Sequence, residues 1–260
     1  MCLVFFSVKQ HPDYPLIVVA NRDEFYNRST KSAGYWPASP QVLGGLDLQA
    51  NGTWLGITTE GKIGWLTNFR DPKNISPQAT SRGLLVSDYL TSSQKALKYL
   101  KMIERKENTY NPFNLIVGTI EELYYFSNYK KGIEKIAPGL YGLSNAFLDT
   151  PWPKVKLGKE KLSAILKKEK FDTEELFELL SDNSSPPDYQ LPDTGIGLEL
   201  ERALSSMFVK TQNYGTRCST IIMADNNNRI FFSERVYDPQ STDFITNTFE
   251  QEVYLGQALK

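Results

Sequence analysis

Cysteine and histidine are almost missing from this chain. Its 260 residues include two cysteines, Cys2 and Cys218, and one histidine, His11. A zinc cluster cannot be assembled from that inventory, and neither can a His-rich metal centre. No metal ligands are assigned. A Ser-His-Asp or Cys-His triad would have to recruit His11, which sits between Gln10 and Pro12 in what reads as a turn. Two cysteines give no disulfide framework, so a reducing, cytoplasmic setting is expected. Charge of one sign is also lacking: 29 basic against 30 acidic side chains leave a formal net charge of −1. No charge excess is left to drive nonspecific nucleic-acid binding. No run approaches the roughly 20 apolar residues of a membrane span. The N-terminal stretch has neither a basic leader nor a small-residue cleavage site, so no secretory signal is expected. EF-hand and P-loop spacings, internal repeats and low-complexity tracts are not found.

What is present is an ordinary apolar content of 40%, with 14 Tyr and 14 Phe, consistent with an aromatic-rich core. Residues 2–8 are apolar and β-prone, 11–15 form a turn, and 16–20 read as a strand buried on both faces. The polar run Asn21-Arg22-Asp23-Glu24 follows directly. It reads equally as a site at the mouth of a buried strand or as a turn that satisfies its own backbone. Residues 44–71 read as a β-meander, with Gly44-Gly45, Asn51-Gly52 and Glu60-Gly61 marking turns. Residues 81–106 are helical with a break near 91–93. Strands are expected over 114–118, 123–127 and 139–145, and helices over 153–170, 173–180 and 198–208. A loop is expected over 183–197, then strands over 215–224, 229–234 and 244–254. Groups of strands alternate with groups of helices, which fits a layered α+β fold better than regular βαβ alternation. Residues 1–260 are expected to form a single domain.

Cys2 carries the most specific chemistry. A small second residue permits removal of Met1, after which one residue holds both a thiol and a free α-amine. A model α-amine has a pKa near 7.7–8.0 and a thiol near 8.5, so the amine can take the thiol proton near neutral pH. The bland alternative is an inert thiol in a buried strand. Such a nucleophile needs groups that set its protonation and donors for an oxyanion. A hairpin through 11–15 would bring residues 20–23 beside the chain start. Arg22 could then lower the thiol pKa, and Asp23 could orient the amine. Asn68 and Asn145 stand at strand ends, where an amide could donate to an oxyanion or simply close a turn. Arg217 could bind a substrate carboxylate or make a surface ion pair. Trp54 reads as core or pocket wall, and Cys218 as a strand thiol without a role.

Met1-Cys2, Asn21-Arg22-Asp23-Glu24-Phe25-Tyr26, Gly52-Thr53-Trp54-Leu55-Gly56, Leu66-Thr67-Asn68, Tyr141-Gly142-Leu143-Ser144-Asn145 with Thr150-Pro151-Trp152, and Tyr214-Gly215-Thr216-Arg217 stand in order along the chain. Together they resemble the NRDE family, also called the transport and Golgi organisation protein 2 family. That family in turn is similar to the cysteine branch of the N-terminal nucleophile (Ntn) hydrolases. The resemblance implies a four-layer αββα sandwich cleaving an amide or thioester of a small acyl substrate. It carries Cys2 over as nucleophile, with Asn68 and Asn145 as the oxyanion and second asparagines. Arg22 and Asp23 are adjacent here, where that branch has Arg-x-x-Asp. Asn21, Glu24, Trp54 and Arg217 are the expected substrate-binding residues, and no cofactor is required. The family's link to haem and to lipid or acyl-CoA homeostasis supplies an alternative, a non-catalytic carrier. For haem, the axial ligand would come from His11, Cys2, Cys218, a methionine or a tyrosine.

Overall fold

The computed structural model describes residues 3–254, and Cys2 lies outside them. The described chain opens with β1 (Leu3–Val8) and β2 (Leu16–Phe25). A meander follows: β3 (Thr30–Trp36), β4 (Ser39–Asp47), β5 (Leu55–Thr58) and β6 (Lys62–Asn68). Next come helices α1 (Gly83–Thr91) and α2 (Ala96–Glu104). Strands β7 (Phe113–Thr119), β8 (Leu123–Ser127), β9 (Lys130–Lys135) and β10 (Gly139–Leu143) lead to α3 (Pro153–Leu166), α4 (Thr173–Leu180) and α5 (Leu198–Ala203). Strands β11 (Tyr214–Ala224), β12 (Arg229–Tyr237) and β13 (Phe244–Glu252) end the fold.

The strands make two antiparallel sheets, ordered β10-β1-β2-β11-β12-β13 and β3-β4-β5-β6-β7-β8-β9. Side-chain alternation along β1 and β2 explains how the layers stack. Val4, Phe6, Val18 and Ala20 pack between the sheets with Leu43, Ile57, Trp65 and Ile116. Leu3, Phe5, Ile17 and Val19 face α3 and α4, meeting Val155, Leu162, Leu176 and Phe177. On the far side, α1 and α2 cover the second sheet through Leu85, Tyr89, Tyr99 and Leu100 against Val42, Leu115, Val117 and Phe126. The result is the αββα sandwich expected from the sequence. Strands apolar on both faces are what a sheet buried between layers requires, and each fully buried Phe, Leu or Ile contributes roughly 1.5–3 kcal/mol. No helix among the described residues is long and apolar enough to cross a membrane.

Several elements differ from the sequence reading. β2 runs on through Arg22, Asp23 and Glu24 to Phe25, because these residues pair with Cys218, Thr216 and Gly215 of β11. Gly44 and Gly45 lie inside β4 and do not turn the chain. A Cβ at Gly45 would stand 2.3 Å from the Trp54 indole, so this glycine makes room for the ring. β3 and β9 were not anticipated, and the helix expected over 198–208 stops at Ala203. Asn51-Gly52 does turn the chain, with Asn51 at φ 54° and its N–H donating to the Asp47 carbonyl. Gly52 also meets the start of α1, where a Cβ would lie 2.5 Å from the Gly83 carbonyl carbon. That backbone contact, with Thr53 N–H donating to Gly83 O at 3.2 Å, fixes the first turn of α1 beside Trp54.

Candidate active site

The candidate residues gather at one end of the sandwich, where β1 begins. Leu3, the first described residue, pairs with Asn21, so Arg22 is the next position along β2. Alternation then separates the polar run. Asn21 faces the helix layer and is fully buried. Its Nδ2 donates to Leu180 O and Met207 O, both at 2.8 Å, and its Oδ1 accepts from Ser219 Oγ at 2.5 Å. Arg22, 3% exposed, points between the sheets and lays its guanidinium 4.3 Å from the centroid of the Trp54 ring. Its Nη2 is 3.9 Å from Glu24 Oε2. Its Nη1 is buried and has no hydrogen-bond partner among the described residues. Asp23, also buried, accepts from Thr216 Oγ1 at 2.7 Å.

Two cavities meet here at Asn68 and Arg82. The first, of about 220 Å³, is walled by Asp23, Phe69, Arg70, Asn145, Lys154, Ile196 and Leu204 among others. The second, of about 380 Å³, is walled by Arg22, Glu24, Arg28, Thr53, Trp54 and the start of α1. Asn68 ends β6, and its side-chain amide makes no hydrogen bond among the described residues. Asn145 follows β10 and bonds across to it: its Nδ2 donates to Asn68 O at 2.9 Å. Arg70 N–H donates to Asn145 O at 2.8 Å, and Arg70 Nη2 reaches Asn145 Oδ1 at 3.4 Å. The structure therefore brings Arg22, Asp23, Glu24, Trp54, Asn68 and Asn145 around one cleft.

Two expected residues are employed elsewhere. Asn21 has its amide committed to the helix layer and lines neither cavity. Arg217 is the extra residue of a β-bulge between Thr216 and Cys218. Its Nη1 donates to Phe25 O at 2.9 Å and Arg28 O at 3.1 Å, which pins the turn after β2. Burial, followed by the charge of Arg22, holds its pKa below the usual arginine value. Of the residues suited to ligate haem, His11 is packed against Tyr14 and Phe171, with Nδ1 accepting from Asp13 N–H at 3.2 Å. Cys218 is buried beside Glu234, and its thiol pKa is pushed well above the usual value by burial and then by that carboxyl. Neither lines the cleft, whereas Tyr214 lines its outer cavity.

Sequence reasoning missed Arg70, Glu201 and Glu234. Arg70 pairs with the buried Glu201 at 2.7 Å and stacks on Trp152 at 5.0 Å. Glu234 is buried near Arg22, with Oε1 accepting from Ala33 N–H at 2.6 Å across the two sheets. Burial raises its pKa. The position of Arg70 two residues after Asn68 was the one available hint; nothing in the sequence marks either glutamate as buried.

The profile described as Transport and Golgi organisation 2 matches residues 1–239. The chain belongs to the Transport and Golgi organisation 2 family. It is 39% identical over 272 residues to the Mus musculus Transport and Golgi organization 2 homolog, covering 96% of this chain and 98% of that one. The Drosophila melanogaster Transport and Golgi organization protein 2 is 31% identical over 264 residues, covering 90% and 91%. Among solved structures, the Caenorhabditis elegans ortholog of N-acylethanolamine-hydrolyzing acid amidase superposes with a TM-score of 0.52 at 13% identity. It covers 85% of this chain and 92% of its own. A variant of conjugated bile acid hydrolase from Clostridium perfringens gives 0.50 at 10% identity, covering 99% and 100%. At such identities the likeness concerns the fold, which is that of the Ntn hydrolases.

Proposed function

We propose that this family member is an N-terminal-cysteine hydrolase that cleaves an amide or thioester bond in a small acyl compound. The observation carrying this reading is the buried Arg22 Nη1, which lacks an acceptor among the described residues. It lies at the strand position next to the partner of Leu3. Leaving a buried charged donor unmet costs upwards of about 1–3 kcal/mol, so an acceptor is called for. Cys2 precedes Leu3 in the chain, and a thiolate is the acceptor this reading supplies.

After removal of Met1, the α-amine of Cys2 takes the thiol proton. The sulfur then attacks the carbonyl carbon, forming the S–C bond and an oxyanion. Arg22 favours the thiolate, and Asp23, held by Thr216, orients the amine. The Asn68 side chain donates to the oxyanion, while Asn145 grips the Asn68 carbonyl and fixes that strand end. Collapse breaks the bond to the leaving amine or thiol, which takes the proton from the α-amine. Water then hydrolyses the acyl-enzyme by the same route. Trp54 and Glu24 wall the substrate cleft, and Asn21 and Arg217 hold the scaffold. We further infer that residues 1–260 work as one domain, in the cytoplasm. The polar end of the cleft favours this reading over a haem or acyl carrier.

The test is turnover of a panel of N-acyl amides and acyl thioesters by the purified protein. Cys2→Ala should abolish it with the fold intact, and Asn68→Ala should lower kcat by roughly 10²–10³-fold. Turnover unchanged in Cys2→Ala would sink the proposal.

A further inference from the structure

Residues 191–204 border the outer cavity, and polar groups hold this stretch down. Ile196 and Leu204 line the cavity. Ile196 stands between Gly195 at φ +82° and Gly197 at φ +85°, and open space surrounds the place of a Cβ at both. These glycines serve the left-handed backbone, not close packing. Within 191–204 the one buried residue is Glu201, a carboxylate; Leu198 and Leu200 are about half exposed. Glu201 accepts from Thr194 N–H at 2.8 Å and Thr194 Oγ1 at 2.5 Å, which closes the stretch on itself. Its other oxygen meets Arg70 Nη1 at 2.7 Å. Lys154 Nζ donates to Leu204 O at 2.8 Å at the far end, and Arg202 pairs with Asp188 on the outer surface.

We propose that residues 191–204 are a strap gating the cleft and that the Arg70–Glu201 ion pair is its latch. A segment anchored by an apolar core opens only with the core, whereas one whose buried anchors are polar, here the Arg70–Glu201 pair and the Lys154–Leu204 hydrogen bond, loosens when the pair parts. The latch is tied to the chemistry, because Arg70 also bonds the carbonyl and the side chain of Asn145. Opening the strap therefore loosens the guanidinium that reaches Asn145 Oδ1, next to the amide that grips Asn68 O. Arg70 and Glu201 act as positioning residues, a consequence that rests on the hydrolase reading; the gating itself does not.

Hydrogen–deuterium exchange on wild type and Glu201→Gln separates the two. The variant should speed exchange of amides in 194–204 at least about tenfold, with β6 and β10 unchanged. Unchanged exchange in 194–204, or faster exchange spread over the whole fold, would overturn the strap. If Glu201→Gln fails to fold, Thr194→Val, which removes one donor to Glu201, should give a smaller increase confined to the same segment. An increase outside it, or none, would again overturn the proposal. Alkylation of Cys2 by a small and a bulky iodoacetamide supplies the second readout. Glu201→Gln should accelerate the bulky reagent and leave the small one unchanged; equal effects on both contradict gating. Absence of Cys2 alkylation in either protein would count against the hydrolase reading and leave the exchange result standing.

Discussion

At the scale of single residues, the polar run that ends β2 supplies both a scaffold residue and the groups of the cleft. Asn21-Arg22-Asp23-Glu24 is visibly out of place after five apolar residues, and the cleft is indeed there. The division of labour was hidden, because it depends on the strand continuing: alternation sends Asn21 to the helices and Arg22 between the sheets. Asn21→Ala would strand two buried carbonyls and leave Ser219 Oγ with Tyr237 Oη alone. It should cost roughly 2–4 kcal/mol, read by urea denaturation, whereas a loss under about 0.5 kcal/mol would contradict its scaffold role. Glu234 gives a pH signature. Burial raises its folded pKa above the unfolded value, against the smaller opposing pull of Ala33 N–H, the Cys218 thiol and Arg22. Its contribution is therefore fully present below the unfolded value and is lost as pH rises through the raised one. The stability of wild type relative to Glu234→Gln should fall as pH rises above the ordinary carboxylate range. A difference that stays constant or grows would refute this. Cys218, kept protonated by burial, should resist alkylation until the protein is denatured.

At the scale of elements, the buried strands and amphipathic helices were legible because burial writes their periodicity into the sequence. The two strands that were not, β3 and β9, are the edges of the seven-stranded sheet. Edge strands pair on one side and need no apolar alternation, and Lys130-Lys131-Gly132-Ile133-Glu134-Lys135 has the charged look that protects an edge. The helix after 198 was overextended because Ser205, Ser206 and Met207 are buried without being helical. Helix α4 carries a capping box in which Asp172 accepts from Glu174 N–H at 3.0 Å and the Glu175 side chain returns to Asp172 N–H. Asp172→Ala should cost about 0.5–2 kcal/mol, measurable as a lower Tm. Helix α3 depends on Gly158, where a Cβ would come within 1.9 Å of the Phe5 ring. Gly158→Ala should therefore destabilise by roughly 1–3 kcal/mol, and an unchanged Tm would contradict that packing.

At the scale of the whole molecule, the layers explain why the cleft is where it is. Two sheets packed through mostly apolar faces leave room for a polar cleft at the strand ends. At the end where β1 starts, Arg22, Asp23, Asn68 and Asn145 converge from two strands and the turn after a third. The balanced charge of the chain gives no long-range field, so recognition rests on the cleft and the strap beside it. Cys2 is the residue on which the hydrolase chemistry depends. Its most direct test is the intact mass of protein made in a host that removes initiator methionine, before and after brief exposure to a thiol-acylating probe at neutral pH. The expected result is a mass lacking Met1 and a single adduct that maps to Cys2 and is absent from Cys2→Ala. Retained Met1, or an adduct on Cys218 alone, would contradict it.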